Sequence, residues 1–241
     1  MIYHARTRQL SYGRPVGFLT LEERIPCPPG TPGNPTTFPF PVCYEVVKGA
    51  SVESLRELNR PDAAAAFLAA GQALTERGAC MVAGNCGLMI VHQAALAAAL
   101  PVPVLLSSLL QLPGVARMLG PRARIGVIAS SRRSLKPEHL ALAGAADVAT
   151  VVASMDGQPA FEAAMREGVL DFEKAEAEAA SVARALVAGA PDVAAILLEC
   201  VDLPPYAAAI QDAAGVPVFD VVTLVSHAAS ALTRKPFTGV Y

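Results

Sequence analysis

The chain has 241 residues, of which 53% are hydrophobic and 17% charged, with a formal net charge of −2. That length suffices for one α/β domain or two small ones around an ample apolar core. The near-neutral balance offers no basic field for a polyanion, so nucleic acid is excluded as an expected partner and small molecules move to the front.

The longest apolar run, AALAAALPVPVLL, contains two prolines and falls short of the roughly 18 residues that a membrane span needs. No membrane association is expected. The opening MIYHARTRQLSYGRP has basic residues but no apolar stretch behind them, so it does not read as a secretory leader and a cytoplasmic protein is expected.

In chain order, short apolar runs alternate with longer helical patterns, the signature of parallel sheets covered by helices. Strands are expected at residues 16–21, 42–47, 79–83, 102–106, 124–129, 148–152, 194–198 and 216–222. Helices are expected at residues 62–77, 88–100, 137–145, 172–188, 205–214 and 225–232, several opened by proline or closed by glycine. Between the first two strands, IPCPPGTPGNPTTFPFP (residues 25–41) is too rich in proline and glycine for regular structure. It reads as a long loop, either a rigid connection or a functional lid.

The two halves are alike. VPV triplets stand at residues 102–104 and 216–218, and the same 17-residue interval separates Cys86 from Pro103 and Cys200 from Pro217. Upstream, PVGFLTLEE and RIGVIASSR place Gly17 and Gly126 in matching positions. A duplicated α/β unit follows: two pseudo-symmetric lobes, each with a mostly parallel four-stranded sheet. Residues 1–120 and 121–241 are the expected division, with the C-terminal tail free to return to the first lobe and the active site between the two.

Five cysteines (Cys27, Cys43, Cys80, Cys86, Cys200) and four histidines (His4, His92, His139, His227) are scattered without metal-ligand spacing, so neither a disulfide framework nor a metal site is expected. Cys27, Cys43 and Cys80 are read as inert packing thiols. Cys86 and Cys200 differ, because each closes an apolar strand and precedes a helix, where ligand crevices of parallel sheets form. Free N–H groups at the following helix start would favour a thiolate, and two such thiols flanking one ligand suit proton transfer on opposite faces of a carbon.

GNCGLM and LLECVDLPPY, closing equivalent strands of a duplicated unit, resemble the two cysteine motifs of the aspartate/glutamate/hydantoin racemase superfamily. The resemblance implies two α/β lobes with the active site between them and chemistry without a cofactor. It also implies that Cys86 and Cys200 are the acid/base pair, one removing the proton α to a carboxylate and the other returning one. An amino-acid racemase acting on a small carboxylate is therefore expected. The motifs depart from those of glutamate racemases, with Asn-Cys-Gly-Leu and Glu-Cys-Val-Asp where those enzymes carry Cys-Asn-Thr and Cys-Thr-His. The histidine that would assist the second thiol is missing. Alternation along the strand points Glu199 away from Cys200, and nearby acids raise a thiol pKa.

Without an electron sink, an enediolate must be held by hydrogen-bond donors. Backbone N–H groups near Gly87 and Val201 are candidates, as are the side chains of Thr20, Asn85, Ser130 and Ser131, although the serine pair fits turn capping equally well. Asp220 is read as a helix cap and, second, as an orienting acid. Two other readings stay open. The superfamily also contains arylmalonate decarboxylases and dimethylsulfoniopropionate lyases, and GTPGNPTTFPFPVCYEVVKGAS resembles the opening of proteins close to those lyases. Retention of both cysteines favours racemisation. The other class is a two-lobed carboxylate-binding protein without chemistry. Glu173, Glu176 and Glu178 read as a solvated helix face, and Arg234 and Lys235 as tail or subunit contact, which leaves a homo-oligomer open.

Overall fold

A computed structural model describes residues 4, 5, 9, 12–56 and 61–239; most of the basic opening segment thus lies outside the described residues. The chain runs β1 (Val16–Thr20), β2 (Val42–Val46), α1 (Val52–Arg56), α2 (Pro61–Glu76), β3 (Met81–Gly84), α3 (Gln93–Ala99), β4 (Val104–Leu105) and α4 (Leu112–Leu119). It continues with β5 (Arg124–Ala129), α5 (Pro137–Leu142), β6 (Thr150–Ser154), α6 (Pro159–Glu167), α7 (Phe172–Gly189), β7 (Val193–Leu198), α8 (Ala207–Ala214), β8 (Val218–Phe219) and α9 (Val221–Leu232).

The strands form two four-stranded parallel sheets, ordered β2-β1-β3-β4 and β6-β5-β7-β8. Each sheet has the same order with the same crossovers, which is the architecture expected from the internal likeness. Val82 pairs with Val104 and Ile196 with Val218, so the two VPV triplets occupy the same place in their sheets. Central strands β1, β5 and β7 are continuous apolar runs because helices cover both faces of a parallel sheet.

Gly17 and Gly126 give the duplication a packing reason. A Cβ at residue 17 would lie 3.0 Å from Leu74 Cδ1 of α2, and one at residue 126 would lie 2.6 Å from Leu186 Cδ2 of α7. In both lobes the central strand lacks a side chain so that a leucine of the covering helix can sit on the backbone.

Each sheet also has a face covered by a helix that lies beyond its own βα units. On the first sheet, Val221, Val225 and Ala229 of α9 pack with Val16, Phe18, Met81 and Ala83. On the second, Leu112 and Val115 of α4 pack with Ile125, Val127, Ala195 and Leu197. Between β4 and α4, Ser108 Oγ donates to Leu198 O at 2.8 Å and Gln111 Nε2 to Asp220 O at 2.9 Å. The connecting segment is thereby bonded to the end of β7 and the start of α9.

Several expected elements change at their ends. The strand expected at residues 216–222 stops at Phe219, because Asp220 caps α9 by accepting from Thr223 N at 2.8 Å. The helix expected at residues 88–100 begins as a 3-10 turn over Gly87–His92, with Met89 N donating to Cys86 O at 3.0 Å, and becomes α-helical at Gln93. Helices α1, α4 and α6 were not expected. Proline opens α4 and α6, and Gly168 ends α6 at φ 70°; these boundary residues dominate segments that otherwise read as loop. Glu178 is no mere solvated acid, since its carboxylate accepts from Ala160 N and Phe161 N, each at 2.9 Å, and so caps α6 from α7.

Gly17→Ala and Gly126→Ala are each expected to lower unfolding free energy by about 1–3 kcal/mol through overpacking, with the larger loss at residue 126. Urea denaturation of the two variants checks it; unchanged midpoints would contradict the packing described.

Candidate active site

The carboxyl ends of the two sheets meet at a cleft of about 100 Å³, lined from the first half by Leu21, Glu23, Ile25, Cys27, Val52 and residues 85–88. From the second half come Ser130, Met165 and residues 199–202. Both central β-strand ends therefore deliver their thiols to one cavity: Cys86 after β3 and Cys200 after β7. Cys200 is 7% exposed and Cys86 half-buried.

Of the other expected contacts, Asn85, Gly87, Ser130 and Val201 line the cleft. Thr20 and Ser131 do not. Thr20 Oγ1 donates to Glu45 O at 3.4 Å, which ties it to the neighbouring strand, and Ser131 Oγ accepts from Arg133 N at 3.3 Å as a turn cap. Among the described residues, the side chains of Asn85 and Ser130 make no hydrogen bond and are available to a ligand. Gly87 and Leu88 open the 3-10 turn after Cys86, where the first backbone donors have no acceptor within the turn; the Leu88 N–H is turned toward the Cys86 sulfur.

The arrangement of acids departs from the expectation. Glu199 does not turn away from the thiols: it is 2% exposed and lines the same cleft. β7 ends at Leu198, so strict alternation stops just before Glu199. The carboxyl group rests on Gly87, where a Cβ would lie 2.2 Å from Glu199 Oε1 and 2.4 Å from Glu199 O. Only glycine leaves that room. Asp202 adds a second carboxyl, with the Cys200 thiol donating to its Oδ2 at 3.5 Å. Glu23 contributes a third, held by Val52 N at 3.2 Å. Among the described residues, no lysine, arginine or histidine lines the cleft.

That imbalance sets the protonation states. Burial, then Asp202, pushes the Glu199 carboxyl up to about 7, and burial pushes Asp202 up to about 6. Both thiols are raised as well. Burial acts first on each; the Glu199 carboxylate is the next cause for Cys86, and Asp202 followed by Glu199 for Cys200. Backbone N–H groups of Leu88 and Asp202 oppose this but do not overcome it. The expectation of thiolates stabilised at helix starts is thus corrected: burial and the nearby carboxyl groups raise both thiol pKa values and outweigh the backbone N–H groups.

Cys27 is a further correction. Instead of packing in a core it is exposed and lines the cleft from the loop of residues 25–41. That loop is seated rather than free. Phe38 stacks between Phe18 and Phe40 at centroid distances of 5.2 Å each, and Gly30 lies so close to Pro205 that a Cβ would be 2.7 Å from its Cα. On the other rim, α1 carries Val52 to the cleft and is fastened to the second lobe by Arg56, whose Nη2 donates to Ser134 Oγ at 3.0 Å. Lys136 Nζ donates back to Arg56 O at 2.8 Å. His92, as expected, stands apart from the thiols and stacks on Phe67 at 4.2 Å.

Among the described residues no group of His, Cys, Asp and Glu has metal-site geometry, and no helix is long and apolar enough to cross a membrane.

A parallel pair of four-stranded α/β units with a thiol at each equivalent strand end defines the class, and comparison with known proteins agrees. Residues 41–229 match the family model described as Asp/Glu/Hydantoin racemase, and the chain belongs to that family. It is similar to a dimethylsulfoniopropionate lyase of Durusdinium sp. clade D, 30% identical over 219 residues that cover 88% of this chain and 73% of that one. It is also similar to dimethylsulfoniopropionate lyase 3 of Emiliania huxleyi, 29% identical over 235 residues covering 93% of this chain; the match spans 61% of that relative's length. Among solved structures, unliganded arylmalonate decarboxylase has the same fold with TM-score 0.60 at 16% identity, covering 90% of this chain and 92% of the other. A glutamate racemase from Bacillus anthracis gives TM-score 0.59 at 14% identity, covering 92% and 82%.

The Glu199 carboxyl also leaves a mark on stability. Its pKa rises from 4.5 in the ordinary state to about 7 on folding, so the folded protein holds the proton more tightly than the unfolded chain. The corresponding stabilisation is full below about pH 4.5 and is lost as pH rises through about 7. Glu199→Gln is therefore expected to match the wild type near pH 5 and to exceed it near pH 8, by up to about 3 kcal/mol. Urea unfolding at the two pH values measures the difference.

Proposed function

We propose that this chain is a cofactor-independent enzyme that removes the proton α to the carboxylate of a small molecule, with Cys200 and Cys86 as its acid/base pair. The observation that carries this reading is the convergence of both thiols, from equivalent strand ends, on one cleft with carboxyl groups beside them. Asp202 Oδ2, 3.5 Å from Cys200 Sγ, takes the place of the missing histidine: it accepts the thiol proton, and the thiolate so formed takes the α-proton. Backbone N–H groups at Gly87 and Val201, with Asn85 and Ser130, are positioned at the cleft to hold the substrate carboxylate and the negative charge that develops on it.

Elimination is one outcome that the relatives support, alongside racemisation. In a β-sulfonium carboxylate the electron pair of the broken Cα–H bond becomes the new Cα=Cβ bond. The Cβ–S bond breaks with its pair passing to sulfur, giving a neutral sulfide and an α,β-unsaturated carboxylate. One thiolate is enough for that. The second reading, racemisation of an amino acid, is favoured by the presence of the second thiol, Cys86, which would return a proton from the opposite side.

Incubation in D₂O with dimethylsulfoniopropionate, and separately with aspartate and glutamate, separates the two. Release of dimethyl sulfide and acrylate marks elimination; α-deuterium with inversion marks racemisation. Cys200→Ser is expected to lower either rate by roughly 100-fold or more, whereas Cys86→Ser abolishes racemisation and leaves part of an elimination. Activity is expected to rise with pH through about 6 as Asp202, raised to that value, becomes an ionised base. No exchange and no elimination in any arm would sink the proposal in favour of a binding protein.

A further inference from the structure

Proton transfer explains why a carboxyl stands beside Cys200, but not why Glu199 is there. Its side chain is 2% exposed, accepts no hydrogen bond from any described residue, and opens on the cleft. A buried carboxyl without a partner is costly unless something neutralises it. Among the described residues, the titratable groups lining the cleft with it are further acids and thiols: Asp202 and Cys200 from its own loop, Cys86 from the turn after β3, and Glu23 and Cys27 from the segment after β1. Arg56, on α1, acts on Glu23 from the rim.

We propose that Glu199, with Asp202 beside it, is an onium subsite that selects substrates carrying a fixed positive charge, such as a sulfonium or quaternary ammonium, close to their carboxylate. The inference rests on the reading of the cleft as a site for small carboxylates and names the second functional group of the ligand. A cation entering the cleft supplies the countercharge that the protein withholds. In a low-dielectric cavity that attraction is far stronger than in water, whereas an onium lacking N–H bonds needs no directed acceptor. A carboxyl group seated on Gly87 with no hydrogen bond of its own fits such a ligand. The two ends of the molecule then meet different groups of one cleft: the amide of Asn85 and the hydroxyl of Ser130 for the carboxylate, the acids at residues 199 and 202 for the cation.

Two ligands of nearly the same shape isolate the charge. 3-(Trimethylammonio)propionate has a quaternary nitrogen where 4,4-dimethylpentanoate has a quaternary carbon. Calorimetric titration of wild type, Glu199→Gln and Asp202→Asn with both ligands at pH 6, 7 and 8 reads the preference directly. The wild type is expected to favour the onium by roughly tenfold or more. That preference grows with pH as Glu199, at about 7, ionises. In Glu199→Gln it falls toward unity while binding of the uncharged-end ligand is kept, which reports an intact cleft.

Equal binding of the two ligands by the wild type, no binding of either at millimolar concentration, or an undiminished preference in Glu199→Gln overturns the proposal. Should Glu199→Gln fail to fold, the wild-type pH series decides, and a preference flat from pH 6 to 8 is the adverse result. The outcome is separable from that of the reaction. Onium preference without turnover would remove the proposed chemistry and keep the subsite, and turnover without preference would do the reverse.

Discussion

Everything at the seam of this molecule is arranged around an unbalanced charge. Glu23, Glu199 and Asp202 line one small cleft with the thiols of Cys27, Cys86 and Cys200 and, among the described residues, no basic side chain. Such a cluster is unfavourable in a dry cavity, and the fold accommodates it by protonation rather than pairing: both buried-side acids and both thiols hold their protons more tightly than they would in water. The same constraint explains the close quarters. Glu199 needs the bare backbone of Gly87 beneath it, and Cys200 finds its hydrogen-bond acceptor only two residues along its own loop. An arrangement so poor in countercharge is held in place by the packing around it.

That packing includes exchange between the halves. Helix α9 closes a face of the first sheet and α4 a face of the second, so each lobe's core is completed by chain from beyond its own βα units. Arg56 and Lys136 fasten α1 to the second lobe, and Gly30 lies against Pro205. The cleft is thus bounded on several sides by contacts that cross from one half to the other. A site made where two parallel sheets abut places its reactive groups on strand ends, the least mobile parts of such folds, and leaves recognition to the loops around them.

Much of this was legible in the residues, for reasons that differ by element. The central strands announce themselves as unbroken apolar runs, since both faces of each sheet are covered. Gly17, Gly126, the VPV triplets and the paired cysteines mark the duplication because each sits at a position where backbone packing or register leaves little choice. Other features were hidden. Strand alternation says nothing about Glu199, because β7 has already ended at Leu198. Cys27 looks like any proline-loop thiol until the loop is seen folding back onto the cleft. Thr20 and Ser131 were plausible donors by position, yet neighbouring backbone groups claim both. Proline-opened α4 and α6 were masked by the loop-like look of their boundaries, although Asp220 as the cap of α9 was readable. The raised pKa values of the thiols depend on burial and on acids from distant segments, and no local pattern could supply them.

The duplication is broken where it matters most. Residues 85 and 199 occupy matching places, each immediately before its thiol, yet one is an amide and the other an acid; residues 87 and 201 likewise match, one glycine and the other valine. If the halves were identical, a small molecule between them could lie either way round, and Cys86 and Cys200 would be interchangeable. In the proposed site, a neutral donor before one thiol and an acid before the other would give a zwitterion a single favoured direction. The two sulfurs then address different faces of its α-carbon, so in the proposed reaction each has its own stereochemical assignment. In that reading the handedness of the site follows from the amide and the acid beside the two thiols, which themselves differ in burial and in the Cys200–Asp202 hydrogen bond.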